Sequence, residues 1–403
     1  MTSASSFLLA SRRCEIAELE QLARACEGVG VIGRFIHALQ RERGMTNLLL
    51  GSGGRYGQSW REQVACCDRA QQDVLHTLEQ LGTDPGALKN GSRLFNRVAL
   101  VLHALDGLPE WRARIEAHAV EAADATAFFG KLIAALLAVV FEAADSAGDP
   151  EISRALIALL HLMQGKELAG QERALGARAF AVGHIAAADQ QLWHHLIESQ
   201  QANLQVLAEL GDVAAAEGVR HEWPELERLR HLGCEGPAGA RDSRLSNVWY
   251  EACTRRIDAL KLAEDQLTLH LRRLCGRRIA QARGELADQR EALDRLLSQA
   301  QPVDPATPAP GAGRSLDRAV LEMMQAQSHR LQQMADELEA VRGRLSERKL
   351  VERAKGLLMS HQGLSEEQAY RSLRQLAMNQ NRRLADVAAS VLALADVLPG
   401  GAR

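Results

Sequence analysis

Residues 37–53 read HALQRERGMTNLLLGSG, and residues 167–183 read ELAGQERALGARAFAVG. When the two stretches are aligned without gaps, Glu42-Arg43 falls on Glu172-Arg173. Around both arginines apolar residues recur every three or four positions, which is the pattern of an amphipathic helix. The spacing therefore predicts two helices whose core-facing stripe carries an arginine where a leucine would be expected.

The remainder of the chain has the composition of long helices. Of its 403 residues 46% are apolar and 25% charged, but only 4% are aromatic, which favours helices over a β-sandwich or barrel. The longest apolar run, residues 132–141, is too short to cross a bilayer, and no signal-type segment follows the N-terminus. Seven cysteines without a C-x-x-C pair disfavour a disulfide framework or a zinc site. We therefore expect a cytoplasmic protein that does not contact a membrane.

Stretches in which apolar residues recur at helical spacing fill most of residues 1–300, and short breaks rich in Gly, Pro, Asp and Asn separate them. They cover residues 11–50, 59–81, 91–105, 109–147, 151–181, 185–211 and 243–300. The last stretch is either one very long helix or two helices with a break near Gly276. Long helices joined by short loops predict helical bundles, so we expect an all-α protein.

A linker and a second domain follow. Residues 301–313, QPVDPATPAPGAG, hold four of the chain's ten prolines and predict an extended linker. Residues 314–403 form the second domain, with a small three-helix core at about 341–398. Its first part carries a heptad seam that is typical of a two-stranded coiled coil and predicts a homodimer; the seam consists of Val320, Met324, Leu331, Met334, Leu338, Val341 and Leu345.

Several cationic residues of the first domain lie on stripes that should face the core. Arg43 and Thr46 share the apolar stripe of the first helix, Lys166 and Arg173 share that of a later helix, and Arg230 lies on the apolar face of a shorter one. An unpaired guanidinium in a core is costly. These positions therefore need either internal partners or a ligand.

Both explanations stay open from the pattern. Arg43 and Arg173 can pair internally with Glu42 or Glu172, or reach solvent at a bundle end. Alternatively, they present planar forks to a small planar oxyanion between helices, where Gly44, Thr46, Ala169 and Gly170 leave room. A pocket with two arginines and no carboxylate would be unstable when empty, so binding would change helix packing.

The motifs QRERGMT (residues 40–46) and K-E-x-x-G-Q-E-R-A (166–174) resemble the paired signature of NIT domains, the nitrate- and nitrite-sensing helical bundles of bacteria. The resemblance covers about residues 30–290 and implies a double four-helix bundle. It also implies that Arg43 and Arg173 bind nitrate or nitrite, which acts as an effector, with no cofactor. Lys166 and Thr46 are further candidate ligands. Arg230 lies outside the two motifs and is a candidate only because it lies on the apolar face of its helix.

The second domain is basic. Residues 341–383 contain ten basic and four acidic residues, a net charge of +6 in a chain whose total is −3. Such a concentration of positive charge is typical of nucleic-acid binding, although a solvated face of ion pairs has the same composition. A DNA-reading helix-turn-helix also stays open, because Gly363 precedes the middle helix.

Three segments in this domain, ERKLVERAKGLLM (347–359), LSEEQAYRSLRQLAM (364–378) and NRRLADVA (381–388), resemble the ANTAR domain. The resemblance implies binding to RNA hairpins with small loops and transcription antitermination. The residues that match the family's contacts are Lys349, Arg353, Lys355, Tyr370, Arg371, Arg374 and Arg383.

No catalytic or metal-binding pattern stands out. His221-Glu222 is not H-E-x-x-H, and no strand precedes the glycines at 51–54 as a phosphate loop would require. We therefore expect a regulator rather than an enzyme. In this interpretation nitrate or nitrite shifts the bundles, and the second domain binds a leader RNA hairpin of nitrate assimilation genes, acting indirectly on RNA polymerase. The alternatives are a nitrate-sensing DNA-binding factor and a helical adaptor without a ligand.

Overall fold

The computed structural model describes residues 4–52, 54, 56–81, 91–210, 223–234, 236, 244–300, 312–362, 364, 366–380 and 382–397. Every regular element within these residues is an α-helix, so the all-α prediction is confirmed. The helices are α1 (Ala4–Gly51), α2 (Gly57–Leu81), α3 (Gly91–Asp106), α4 (Leu108–Glu116), α5 (Ala122–Ser146), α6 (Pro150–Val182), α7 (Ala187–Leu210), α8 (Pro224–Cys234), α9 (Leu245–Ala300), α10 (Ala312–Gln362), α11 (Glu366–Gln380) and α12 (Leu384–Val397).

The first four-helix bundle contains α1, α2, α5 and the α3–α4 pair. Its core includes Phe35, Leu39, Ile115 and Phe129, all fully buried. The prediction of one helix over residues 109–147 is wrong, because α4 ends at Glu116 and α5 begins at Ala122. The break contains His118 with a left-handed φ of 52°, and no glycine or proline in the sequence signals it.

The second bundle contains α6, α7, α8 and α9. Local sequence explains the bounds of α6: Asp149 accepts hydrogen bonds from the amides of Glu151 and Ile152, both at 3.0 Å, and Pro150 takes the first helical position. At the other end Gly183 adopts a φ of 79°, which ends the helix.

The core of the second bundle is aromatic. Trp193 and Trp249 are fully buried, with ring centroids 5.0 Å apart. Glycines make room for the two indoles: a Cβ on Gly176 would lie 2.3 Å from the Trp249 ring, and one on Gly233 would lie 2.4 Å from the Trp193 ring.

Helix α9 runs unbroken over 56 residues, which decides between the two alternatives for residues 243–300 in favour of one helix. It packs against α6 in its own bundle and against α1 of the first bundle. Close approach occurs at Gly30, where a Cβ would lie 2.9 Å from the Thr268 methyl, and at Gly33, where it would lie 3.2 Å from Glu264. The two bundles are thus joined along α1 and α9.

Helix α5 is, within the described part of the chain, the one helix long and apolar enough to span a membrane. However, 56% of its most apolar window is buried, and it packs against α1, α3 and α6. These are the features of a core helix.

The chain divides into two compact units, Met1–Gln332 and Gln333–Arg403. The division falls within α10 rather than in the predicted linker, of which residues 301–311 lie outside the described part. Within the first unit, Gln327 donates a hydrogen bond to Ser11 at 2.9 Å, and Arg330 bonds to Glu15 and Glu285. The second unit has a three-helix core that includes Ala354, Leu358, Ala369, Leu373, Val387 and Ala388.

Candidate functional site

Arg43 lies on α1 at its interface with α6 and is only 4% exposed. Its guanidinium binds both carboxylate oxygens of Glu167, with Nη1 at 2.5 Å from Oε1 and Nη2 at 3.1 Å from Oε2. Gln40 and Gln171 also donate to this carboxylate, each at 2.9 Å. The prediction of an inward Arg43 is confirmed, but the pocket contains a carboxylate, whereas the anion-site alternative assumed a pocket without one.

Arg173 is held without a carboxylate. Its Nη1 donates to the Thr254 hydroxyl at 3.0 Å, and the guanidinium carbon lies 4.6 Å from the ring centroid of Tyr250, a cation–π contact. No acidic side chain within the described residues forms an ion pair with it, and it is half-buried. Arg173 is therefore a cation with donor capacity left over.

The two arginines belong to one helix interface. The Nη2 of Arg43 lies 2.9 Å from where a Cβ on Gly170 would stand, one helical turn before Arg173. The Nη2 of Arg173 lies 3.5 Å from the corresponding point on Gly44, next to Arg43. Each guanidinium thus reaches the other's helix, and the arginine side chains take up the room beside the two glycines.

The predicted ligands Lys166 and Thr46 already have protein partners. Lys166 is fully buried and donates to Glu264 at 2.5 Å, while Thr46 accepts a hydrogen bond from the Trp60 indole at 3.0 Å. Burial lowers the pKa of Lys166, and the Glu264 carboxylate opposes this shift. Lys166 and Thr46 face inward as predicted, but each is engaged in holding helices together.

Arg230 faces inward from α8 and forms a bidentate ion pair with Glu172. Its Nε lies 2.8 Å from Oε1, and its Nη2 lies 2.7 Å from Oε2. Trp193 and Gln200 donate to the same carboxylate at 3.1 and 2.8 Å. Burial alone would raise the pKa of Glu172, but Arg230, together with the Gln200 hydrogen bond and the charge of Arg256, outweighs burial and holds the pKa below its usual value. Arg256 lies beside this group, with Nη1 3.8 Å from Glu172 and 2.5 Å from the Gln200 oxygen.

For Arg43 the ion-pairing alternative is correct, although the predicted partners are wrong, whereas Arg173 forms no ion pair within the described residues. Arg43 pairs with Glu167 rather than with Glu42 or Glu172. Glu42 instead accepts two bonds from Arg112, both at 2.8 Å, and Glu172 accepts those of Arg230. Short sequence separation suggested the neighbouring glutamates, but adjacent residues on a helix point in different directions.

Four residues around the buried arginines were not predicted from the sequence: Glu167, Tyr250, Thr254 and Arg256. Glu167 stands next to the inward Lys166 and inside the quoted K-E-x-x-G-Q-E-R motif, which was the available signal. Its position lies off the apolar stripe of α6, and it is buried because that helix is covered on several sides. Tyr250, Thr254 and Arg256 lie on α9, outside both NIT motifs, and no pattern in the sequence marked them as part of the site.

In the second unit the predicted RNA contacts differ in exposure. Arg353, Arg371, Arg374 and Arg383 are exposed, and Tyr370 is half-buried. Lys355 is only 8% exposed, which differs from the open surface that its prediction assumed. The side chain of Lys349 lies outside the described residues.

Two family models match the chain: NIT, nitrate and nitrite sensing, over residues 34–272, and the ANTAR domain over residues 339–392. The nitrate regulatory protein of Klebsiella oxytoca is 34% identical over 390 residues, which are 95% of this chain and 93% of that protein. The solved structure of the NasR transcription antiterminator has a TM-score of 0.61 and 31% identity, over 98% of this chain and 99% of that one.

The fold and the site define a class: a helical sensor with inward arginines, followed by a basic three-helix domain. Within that class, the chain belongs to the NIT family of nitrate- and nitrite-sensing proteins and carries an ANTAR domain after its sensor. Both resemblances drawn from the sequence motifs are confirmed.

Proposed function

We propose that the chain is a nitrate- or nitrite-responsive regulator that binds a leader RNA hairpin and causes transcription antitermination of nitrate assimilation genes. Its similarity to a nitrate regulatory protein and to the NasR antiterminator along nearly its whole length supports this function. The observation that carries the sensing step is the pair of guanidiniums, Arg43 and Arg173, at the α1–α6 interface.

The charge at this interface suits a small monovalent oxyanion. Arg43 and Arg173 contribute two positive charges, and Glu167 contributes one negative charge, so one positive charge is left without a carboxylate in the described surroundings. A planar oxyanion with two or three oxygens can accept hydrogen bonds from both guanidiniums at once. In this proposal Arg43 and Arg173 bind nitrate or nitrite directly, while Lys166 and Thr46 hold the helices around the site.

Arg230 is a secondary candidate. Its donors are already used by Glu172 and Glu227, so it would bind an anion only after giving up a carboxylate. Nitrate or nitrite acts as an effector here, and the proposal requires no cofactor, metal or catalytic residue.

RNA binding is assigned to the second unit. Arg353, Arg371, Arg374 and Arg383 are exposed on a domain of net positive charge, which favours a phosphate backbone. Tyr370 is half-buried beside them and can stack on an unpaired loop base. Lys349 and Lys355 complete the proposed set, and the hairpin would act on elongating RNA polymerase indirectly.

The proposed regulator is a cytoplasmic homodimer. Met324 and Leu331, which belong to the predicted coiled-coil seam, are each 46% exposed in the single chain. A second copy of α10 would cover them.

In vitro transcription across a leader with a candidate hairpin and terminator tests the function. We expect read-through to rise with nitrate and not with an equal concentration of chloride. Mobility shifts with the leader RNA and the matching DNA duplex separate the alternatives, because preference for the duplex would favour a DNA-binding factor. The adaptor alternative predicts no nitrate-selective rise in melting temperature.

A further inference from the structure

The carboxylate of Glu167 is surrounded by donors as a bound anion would be. Arg43 contacts both of its oxygens, Gln40 donates to Oε2 and Gln171 donates to Oε1. Two of these donors, Arg43 and Gln40, belong to α1, whereas Glu167 belongs to α6. The carboxylate is buried and joins the two helices through Arg43 and Gln40.

A carboxylate and a nitrate ion are alike in the features that this environment recognises. Both are planar, both carry one negative charge, and both offer two oxygens to the paired N–H groups of a guanidinium. The donors that hold Glu167 therefore already form an oxyanion site of the right kind. The space for the ligand is the space that the carboxylate occupies.

We propose that Glu167 is a built-in competitor of the effector: it occupies Arg43 when no nitrate is present and leaves Arg43 when nitrate binds. This inference rests on the proposed function and adds a specificity-determining residue to its site. Nitrate and the Glu167 carboxylate exclude each other, because both need the same fork and two like charges there would repel.

The competition provides the link between binding and helix packing. While Glu167 is in place, Arg43 and Gln40 fasten α1 to α6 through it. When nitrate takes its place, these two α1–α6 links are lost, and Arg43 and Arg173 are joined through the ligand instead. The empty site is stable because the carboxylate neutralises Arg43, so the sensor has two well-satisfied states.

The test measures nitrate binding to the full chain by calorimetry, with chloride held at the same ionic strength. Glu167→Gln keeps the shape of the side chain and removes its charge. We expect this variant to bind nitrate roughly tenfold more tightly or better, because nitrate no longer competes with a charged carboxylate for Arg43. A tenfold change in affinity corresponds to only a small difference in binding free energy. Nitrate should also raise the melting temperature of this variant more than that of the unmodified chain.

Two further variants serve as a control and as an intermediate case. Glu42→Gln is the matched control, because Glu42 of α1 is also a buried carboxylate with a bidentate arginine, Arg112 of α4, but its carboxylate does not contact the Arg43 guanidinium. It should lower stability and leave nitrate affinity unchanged. Glu167→Asp keeps the charge on a shorter side chain, holds Arg43 less well, and should bind nitrate with intermediate affinity.

The outcomes separate the inference from the function on which it rests. If the unmodified chain binds nitrate, Arg43→Ala abolishes binding and Glu167→Gln binds more weakly or equally well, the competitor role is overturned and the function stands. Weaker binding by Glu167→Gln with rescue by Glu167→Asp would mean that Glu167 only positions Arg43. If neither the unmodified chain nor any variant binds nitrate, the proposed sensing function fails as well.

Discussion

At the scale of single side chains, Arg43 and Arg173 differ in what their removal would cost. Arg43 is buried against a carboxylate, so its loss would leave Glu167 without its counter-charge. Arg173 is half-buried, stacks on Tyr250 and bonds to a hydroxyl. Its substitution therefore separates ligand binding from fold stability better than that of Arg43.

We expect Arg173→Ala to weaken nitrate binding by roughly 10- to 100-fold, because a hydrogen bond to a charged group contributes about 1.5–3 kcal/mol. The melting temperature without nitrate should change little, since no buried carboxylate loses a partner. Calorimetry and thermal unfolding measure the two effects. Arg178→Ala, an exposed arginine on the same helix, is the control and should change neither.

His37 predicts a pH dependence. Burial, with the charges of Lys166, Lys261 and Arg41, lowers its pKa from 6.5 to about 3, and its Nδ1 is buried without a hydrogen-bond partner. The folded state therefore keeps this histidine neutral while the unfolded state binds a proton below pH 6.5. Its contribution to stability is present above pH 6.5 and is lost as the pH falls towards 3.

The expected slope is at most about 1.4 kcal/mol per pH unit in this window. In His37→Gln the free energy of unfolding should fall less steeply between pH 6.5 and 4, as measured by urea denaturation. His103→Gln, which alters an exposed histidine on α3, serves as the comparison and should keep the steeper slope. Equal slopes in both variants would contradict the assignment to His37.

At the scale of helices, close packing depends on glycines at particular contacts. A Cβ on Gly176 of α6 would overlap the Trp249 ring at 2.3 Å, whereas one on Gly276 of α9 would meet nothing within 4 Å. Both residues are inside helices, where alanine is intrinsically favoured. Packing alone therefore sets the sign of the effect at each position.

Gly176→Ala should lower the free energy of unfolding by about 1–3 kcal/mol through overpacking. Gly276→Ala should raise it by up to about 1 kcal/mol, because only the backbone term remains. Thermal and urea unfolding of the two variants give the comparison. A stabilised Gly176→Ala would show that the tryptophan can move away at little cost.

At the scale of the whole molecule, α10 contributes residues to both compact units. Its first part is fastened to the sensor by Arg330, which joins Glu15 of α1 and Glu285 of α9, and Arg12 bonds to the same two carboxylates. The exposed seam residues Met324 and Leu331 belong to this part. The seam of the proposed dimer and the contacts to α1 and α9 thus lie on the same segment of the helix.

Met324→Glu with Leu331→Glu should convert the proposed dimer to a monomer, because two charges would enter an apolar seam. Sedimentation equilibrium measures the change in mass. Ala326→Glu puts a charge on an exposed position away from the seam and should leave the dimer intact. A monomeric unmodified chain would rule out the seam as a dimer interface.

Helices and the inward direction of Arg43, Lys166 and Arg230 followed from periodicity, because a residue's face on a helix depends only on local spacing. The families were recognised from short motifs, which are likewise local stretches of sequence. The break at residues 117–121 did not, since a backbone conformation such as that of His118 has no composition signal there.

Partners were decided by the tertiary structure. Arg43 meets Glu167 across 124 positions of chain, Arg173 meets Tyr250 on α9, and Arg230 meets Glu172 across 58 positions. Helical periodicity gives the direction of a side chain but not which helix lies opposite or at what height. The choice of carboxylate for each buried arginine depends on those two quantities, and they exist only once the helices are packed.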